Sequence, residues 1–354
     1  MMKMRKLLLY LLAFGTVLSC LALSSCQMQM KKYTSHAFDY FDTVTSVTGY
    51  ARSEEEFDAV CGDIFSMLEE YHRLYTVYDR YEGTENLSTV NELTDGAHRT
   101  VHVDERIIDL LLYAKEMHEK TDGNVNIAMG SVLSVWHEYR EKGLLDPKNA
   151  TLPPMDTLTQ ASLHTDIRLV DIDTENGTVT LRDPAMRLDV GAIAKGYAVE
   201  MIARTLEERG ISGYVLNVGG NVRTIGAKPD GSPWLIGIEN PNENADDPYA
   251  EYITLSGESV VTSGSYQRYY TVDGKNYHHI IDPKTLLPAE GYLSVSVICK
   301  SSAEGDALST ALFCMSLEDG LSLINAIDGA EAMWILPNGE KRYSDGFQNY
   351  IKFE

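Results

Sequence analysis

The chain has 354 residues, 44% hydrophobic and 23% charged, with 27 Gly and 11 Pro; this composition excludes collagen-like, low-complexity and wholly disordered chains and leaves ample material for a buried core. Lys and Arg number 30 against 52 Asp and Glu, a formal net charge of −22. Such a field repels polyanions, so nucleic-acid binding is disfavoured, and a phosphate-bearing ligand requires local positive charge or a metal.

Lys3, Arg5 and Lys6 precede an apolar run from Leu7 to Leu23. The run is short for a membrane span and ends in small residues, so 1–25 reads as a signal peptide, with an uncleaved membrane anchor as the alternative. Leu23-Ser24-Ser25-Cys26 resembles a bacterial lipobox, which implies cleavage before Cys26 and a lipid on its sulfur. Cys20, after Val17-Leu18-Ser19, fits that pattern less well. The body is therefore expected on the extracytoplasmic face of the cell membrane, the periplasmic side if the cell has two membranes. Residues 26–36 are polar and read as a tether, and 37–354 as the functional domain. Cys61, Cys299 and Cys314 sit far apart in apolar periodic segments, as buried thiols would; no spacing indicates a disulfide framework or a zinc site.

Along the domain, Phe38–Tyr50 is rich in β-branched and aromatic residues and predicts a strand. A helix follows from about Ser53, with Phe57, Cys61, Ile64, Leu68 and Tyr71 stepping by three and four. Residues 79–100 read as loop, and Asp104 to Lys120 as a second amphipathic helix. The prolines at 147, 153 and 154 mark 141–166 as an excursion. Short strands are predicted at 168–173 and 178–182, and a helix from Ala192 to Arg209. Strand-like runs follow at 213–218, 234–239, 251–256, 258–262, 267–272, 276–281 and 293–299. A helix pair at 303–315 and 317–327 precedes a hairpin at 331–344 with Asn338-Gly339 as its turn. Strand and helix do not alternate regularly, which predicts an α+β fold with mostly antiparallel sheet, in one domain or two lobes.

Four clusters carry possible chemistry. Arg187-Leu-Asp189-Val-Gly191-Ala-Ile-Ala-Lys195-Gly196-Tyr197 places small residues and a lysine at a helix start, where free N–H groups and the dipole favour an anion; simple close packing explains the same glycines. Asn217-Val-Gly219-Gly220-Asn221 reads as a tight turn. Thr262-Ser263-Gly264-Ser265-Tyr266 is followed by His278-His279-Ile280-Ile281-Asp282-Pro283. Neighbouring histidines on a strand point to opposite faces, so one of the two can serve a site as base. Asp306 and Thr310 lie four apart on a predicted helix, so a carboxylate and a hydroxyl share one face and suit a hard cation such as Mg2+; an N-cap with a core-facing threonine fits as well.

Each segment alone is weak evidence. Together and in order, Asp189-x-Gly-Ala-Ile-Ala-Lys-Gly-Tyr, Asn-x-Gly-Gly-Asn, Thr-Ser-Gly-x-Tyr, His279-Ile-x-Asp-Pro-x-Thr and Asp306-Ala-Leu-x-Thr resemble the ApbE family of flavin transferases, from about Phe41 to Leu336. The resemblance implies an ApbE-like domain and Mg2+-dependent transfer of FMN from FAD to a threonine hydroxyl of an acceptor protein, with AMP leaving. It implies metal ligands at Asp306, Thr310 and the Ala192 carbonyl. FAD contacts are implied at Tyr78, Asn124, Val125, Asn126, Asp189, Lys195 and Ile280. His279 is implied as base with Thr262 and Ser263 nearby, and Phe41 in the loop that covers the flavin. The acceptor is implied to be a membrane redox subunit with a Ser/Thr-rich motif. Leu286 stands where glycine is usual, which raises the prospect of a different turn; Gly305, Asn126 and Glu200 are milder departures. Two other functions share these residues: hydrolysis of FAD to FMN and AMP, and lipid-anchored flavin binding without turnover.

Overall fold

Phe41 (φ 53°) and Asp42 (φ 52°) turn the first extended segment back on itself through two left-handed residues, the backbone pattern whose twist matches a two-residue hairpin. The computed structural model describes residues 30–92, 100–242 and 244–352. The predicted strand over 38–50 is thus two strands, β1 (Lys31–Tyr40) and β2 (Thr43–Ala51), paired antiparallel from Lys31↔Ala51 to Tyr40↔Thr43. This corrects the tether: residues 31–36 belong to β1, where alternate side chains such as Tyr33 pack on Phe57. The signal segment and Cys26 lie outside the described residues.

Helix α1 (Glu54–Tyr75) starts where Ser53 accepts a hydrogen bond from the Glu56 N–H, with three glutamates in its first turn against the helix dipole. The polar stretch after it holds a short helix, α2 (Leu87–Asn91), closed by a capping box on Asn86. Strand β3 (Thr100–His102) and α3 (Glu105–Lys120, capped by Asp104) follow. Two helices then replace part of the expected excursion: α4 (Gly130–Leu145) and α5 (Met155–Ser162). Helix α4 escapes a sequence reading because its buried positions are sparse and its N-terminus has no side-chain cap.

Strands β4 (Val170–Asp173) and β5 (Thr178–Leu181) make a small sheet with β3, and α6 (Ala194–Glu208) leads to β6 (Tyr214–Val218). The Asn217–Asn221 segment is the tight turn expected, but it continues into an unforeseen strand, β7 (Asn221–Ile225). Next come β8 (Trp234–Glu239), β9 (Tyr249–Leu255), β10 (Ser259–Gly264), β11 (Tyr269–Val272), β12 (Lys275–His278) and β13 (Ser294–Cys299). Helices α7 (Ser302–Phe313) and α8 (Leu317–Asn325) and the hairpin β14 (Glu331–Ile335) and β15 (Lys341–Tyr343) complete the described chain.

The main sheet has eight strands in the order β1-β2-β6-β7-β10-β13-β14-β15, with every pairing antiparallel. All six residues of β13 are buried, as expected for a strand covered on both faces. Its period of two divides the core: Val295, Val297 and Cys299 pack with α7, whereas Ile298 joins Ile238 and Ile253 of the β8–β9 hairpin. The α7 side of the core is continuous from α3 and the small sheet through to Trp334 of β14, so the fold is one domain and the two-lobe alternative falls. Cys61 and Cys299 are buried and Cys314 half-buried, all as free thiols. No helix among the described residues is long and apolar enough to cross a membrane.

Leu286 keeps the conformation glycine would favour. Its φ is 63°, its N–H donates to the Asp282 carbonyl at 2.8 Å, and its own carbonyl accepts from Trp136 Nε1 at 2.9 Å. Left-handed backbone costs a residue with a Cβ roughly 1 kcal/mol. The ordinary ranking of small residues should therefore invert here: Leu286→Gly is expected to be more stable than Leu286→Ala by about 1 kcal/mol, measured by denaturant midpoints.

Candidate active site

Helices α6 and α7 cross with almost no space between them. A Cβ at Gly196 would lie 2.3 Å from the Ser302 carbonyl oxygen and 2.4 Å from Asp306 Cβ, so only glycine admits the approach. That crossing brings the buried Asp306 carboxylate against the first turn of α6, where Oδ2 accepts the Gly196 N–H at 2.8 Å. The anion favoured at this helix start is thus, in part, the protein's own carboxylate. Lys195 Nζ and Asn221 Nδ2 stand 3.4 Å from Oδ1, the edge of hydrogen-bonding distance. The Asn221 Oδ1 atom is buried without a partner. Glu200 sets the crossing from behind: it accepts from Ser302 N–H at 2.9 Å, forms a buried ion pair with Arg223 and pairs with the exposed Arg204.

One turn along α7, Thr310 Oγ1 lies 3.4 Å from Ser263 Oγ, which also meets Ser309 Oγ at 2.9 Å. Thr262 is tied across the sheet to Ser296 at 2.8 Å. On the facing side, Gly219 (φ +54°) packs under Thr43; a Cβ there would meet Thr43 Oγ1 at 2.3 Å. Helix starts, strand ends and the β1–β2 turn therefore surround one cavity of about 1330 Å3, larger than the ~300–1,000 Å3 usual for drug-sized ligands.

Its walls include Tyr78, Asn124, Val125, Asn126, Asp189, Ala192, Lys195, Thr262, Ser263, His279, Ile280, Asp306 and Thr310, so the sequence-predicted residues converge. Phe41 does not line it. Its ring packs edge-on against His72 at 5.6 Å and into the core, while its neighbours Asp42, Thr43 and Val44 form the wall. Asn126 spends both ends of its amide locally, accepting from Ala128 N–H and donating to the Thr165 carbonyl, each at 2.9 Å. Asn124 Oδ1 is buried without a partner, an acceptor left over at the cavity.

The two histidines differ in their settings: His278 closes β12 and His279 lies in the bend just beyond it. His278 Nε2 meets the Ala289 carbonyl at 2.8 Å and its Nδ1 accepts from Ile280 N–H at 3.2 Å, which uses both nitrogens in one neutral tautomer. His279 Nδ1 lies 3.2 Å from the Arg268 carbonyl, which only accepts, so Nδ1 carries the hydrogen. Nε2 has no hydrogen-bond partner among the described residues. Crowding by the cavity walls, with help from the positive Arg268, pushes the His279 pKa down to about 3, although part of the ring surface opens to the cavity. The ring is therefore a neutral acceptor at physiological pH. Burial raises the Asp189 carboxyl above its usual range, against the Gly191 N–H it accepts at 2.8 Å.

Sequence reasoning missed the α4 contribution, His137 and Arg140, and the charged Arg268. Tyr78 stacks on His137 with ring centroids 4.8 Å apart, and Arg140 Nη2 lies 3.1 Å from His137 Nδ1. The spacing Val132, Trp136, Tyr139 was the available signal for that helix. Among the described residues no three His, Cys, Asp or Glu side chains gather as a metal cluster. A buried carboxylate, a hydroxyl one turn away and loosely held polar neighbours do fit one hard, oxygen-seeking cation.

One cavity thus joins an imidazole with a free ring nitrogen, a buried carboxylate and a lysine. The ApbE family model matches residues 41–334, and the chain belongs to that family. It is 32% identical over 283 residues to a FAD:protein FMN transferase of Klebsiella pneumoniae, covering 79% of this chain and 83% of that one. It is 30% identical over 355 residues to one from Treponema pallidum, covering 95% and 94%. The solved ApbE protein of Thermotoga maritima superposes with a TM-score of 0.78 at 28% identity, covering 91% of this chain and all of that one.

Between its ordinary value of 6.5 and about 3, folded His279 refuses a proton that the unfolded chain binds. The unfolded state then holds more protons, so stability falls as pH drops through that window. The expected outcome is a shallower loss for His279→Asn than for the parent when denaturant midpoints are followed from neutral pH into that range.

Proposed function

We propose that this enzyme transfers FMN from FAD to a threonine hydroxyl of an acceptor protein and releases AMP, with Mg2+ required. The observation that carries this reading is the bare, neutral His279 Nε2 in the same cavity as Asp306, Thr310 and Lys195. The names of the relatives support the flavin donor and the protein acceptor.

In the reaction the threonine oxygen forms a bond to the FMN phosphorus as its proton passes to His279 Nε2. The bond from that phosphorus to the bridging oxygen breaks, and AMP departs with the electron pair. Lys195 offsets phosphate charge, which an acidic chain must do locally. Tyr78, half-exposed beside His137, offers a flat apolar face to the isoalloxazine ring. Asn124 Oδ1 is an unpaired acceptor for a donor on the ligand. Asp306, Thr310 and the Ala192 carbonyl would hold Mg2+, whose chemistry is to neutralise charge on the pyrophosphate.

The leader sequence and Cys26 support attachment by lipid to the extracytoplasmic face of the membrane, where a membrane redox subunit with a Ser/Thr-rich motif is the fitting acceptor. Intact-mass measurement of the membrane-extracted protein should show a chain that starts at lipidated Cys26.

The decisive experiment incubates the protein with FAD, Mg2+ and a candidate acceptor domain, and follows acceptor mass and AMP. A threonine carrying FMN with equal AMP release is the expected result. Free FMN and AMP with an unmodified acceptor, repeated across acceptors, would make the enzyme a FAD hydrolase, and bound FAD without AMP a binding protein. His279→Ala should lower transfer by ~100-fold or more while flavin fluorescence reports FAD affinity within about threefold. Asp306→Ala should raise the Mg2+ concentration needed for half-maximal rate.

A further inference from the structure

The turn between β1 and β2 is made of two left-handed residues, neither of them glycine or asparagine, and one is a phenylalanine. Such a turn costs free energy at both positions and persists only where its surroundings hold it. Two groups do so. His72 Nδ1 accepts the Phe41 N–H at 3.2 Å. From 227 positions further along the chain, Arg268 Nη2 donates to the Phe41 carbonyl at 3.2 Å and to the Asp42 carbonyl at 2.9 Å. The same arginine's own carbonyl accepts the His279 N–H at 3.1 Å and meets His279 Nδ1 at 3.2 Å.

We infer that Arg268 is a positioning residue: its guanidinium bolts the left-handed Phe41–Asp42 turn to the backbone carbonyl that holds His279 in the Nδ1-protonated tautomer. The consequence for rate rests on the proposed transfer reaction; the consequence for the tautomer does not. Arg268 lies in the exposed connection between β10 and β11, with the cavity wall at Asp42, Thr43 and Val44 on the far side of the bolt. With the guanidinium removed, nothing else in that connection holds the two turn carbonyls among the described residues. The connection then keeps only its own ties, Ser265 N–H to the Leu293 carbonyl and His279 N–H to the Arg268 carbonyl, and it loses the one that fixes it to the turn. The Arg268 carbonyl is then less firmly aimed at His279 Nδ1, and part of the proton population passes to Nε2. The charged and titratable groups whose fields act on the ring are Arg268 itself, the adjacent His278 and Arg140 of α4. Loss of the first also removes positive charge that disfavours protonation.

The test uses Arg268→Met, which keeps the stem, and Arg268→Lys, which keeps the charge but not the two-pronged fork. Ring 15N shifts of histidine-labelled protein, with His279 assigned by its absence in His279→Ala, report the tautomer directly. The parent should show Nδ1 protonated and Nε2 bare. Arg268→Met should show a tautomer mixture that titrates at higher pH, a transfer kcat lower by about tenfold and FAD affinity within about threefold. Arg268→Lys should titrate close to the parent yet retain the tautomer mixture, and it carries the test if Arg268→Met fails to fold. An unchanged tautomer in both variants overturns the inference. So does a loss of FAD affinity as large as the loss of kcat, which would make Arg268 a direct ligand of the substrate. If the parent transfers no flavin while the shifts behave as described, the positioning role stands and the transfer reading is what fails.

Discussion

The contact between the Asp306 carboxylate and the Gly196 N–H holds the functional centre together. A buried carboxylate is costly unless its charge is met by donors, and the start of α6 meets it with a backbone hydrogen bond and the positive end of a helix dipole. That arrangement demands glycine at 196, because the two helices approach too closely for a side chain. It also fixes where Thr310, Lys195 and the turn at Ala192 stand relative to one another. The Glu200–Arg223 pair guards the same crossing from the other side; it links α6, β7 and the first turn of α7 through buried charge. Paired buried charges add little net stability, but breaking one partner leaves the other stranded, so the network fixes geometry more than it adds strength.

Charge is unevenly distributed over the molecule. The chain is strongly acidic overall, yet Lys195, Arg140 and Arg268 all line its large cavity. Burial first, and then the positive charge of Arg268 and Arg140, keeps the His279 imidazole unprotonated. Helix starts contribute as well, but each N–H spent on an internal carboxylate, as at Gly196 and Gly191, is withdrawn from the ligand.

Much of this was readable from residue order. Strong periodicity and good caps marked the start of α1 and both ends of α3 within a residue or two, because burial on one face and an oxygen at the N-cap are local properties. The five motifs marked the cavity walls because close approach and proton transfer each restrict residue choice. What was misread shares a physical cause. Helix α4 has no side-chain cap and few buried positions, and it is stabilised by packing on Tyr270 and Val272 of β11. The first half of β1 looks like a polar leader because only alternate residues are covered and its ladder bonds go to β2. Phe41 sits at the right place in the chain, but its ring turns to His72 and the core, a choice made by a left-handed turn that residue type alone disfavours.

The sequence by itself determined the class of fold, through periodicity and spacing, and the family, through five motifs in order, and it named most of the residues that line the cavity. The family resemblance pointed to His279, but the tertiary structure alone gives the reason that it and not His278 is free, since that depends on carbonyls at Arg268 and Ala289 that no local pattern predicts. It also decided that His137, Arg140 and Arg268 share the cavity with Asp306. His137 and Arg140 lie more than a hundred residues from Asp306 in the chain, and only the packing of helices on a common sheet brings such segments to one place.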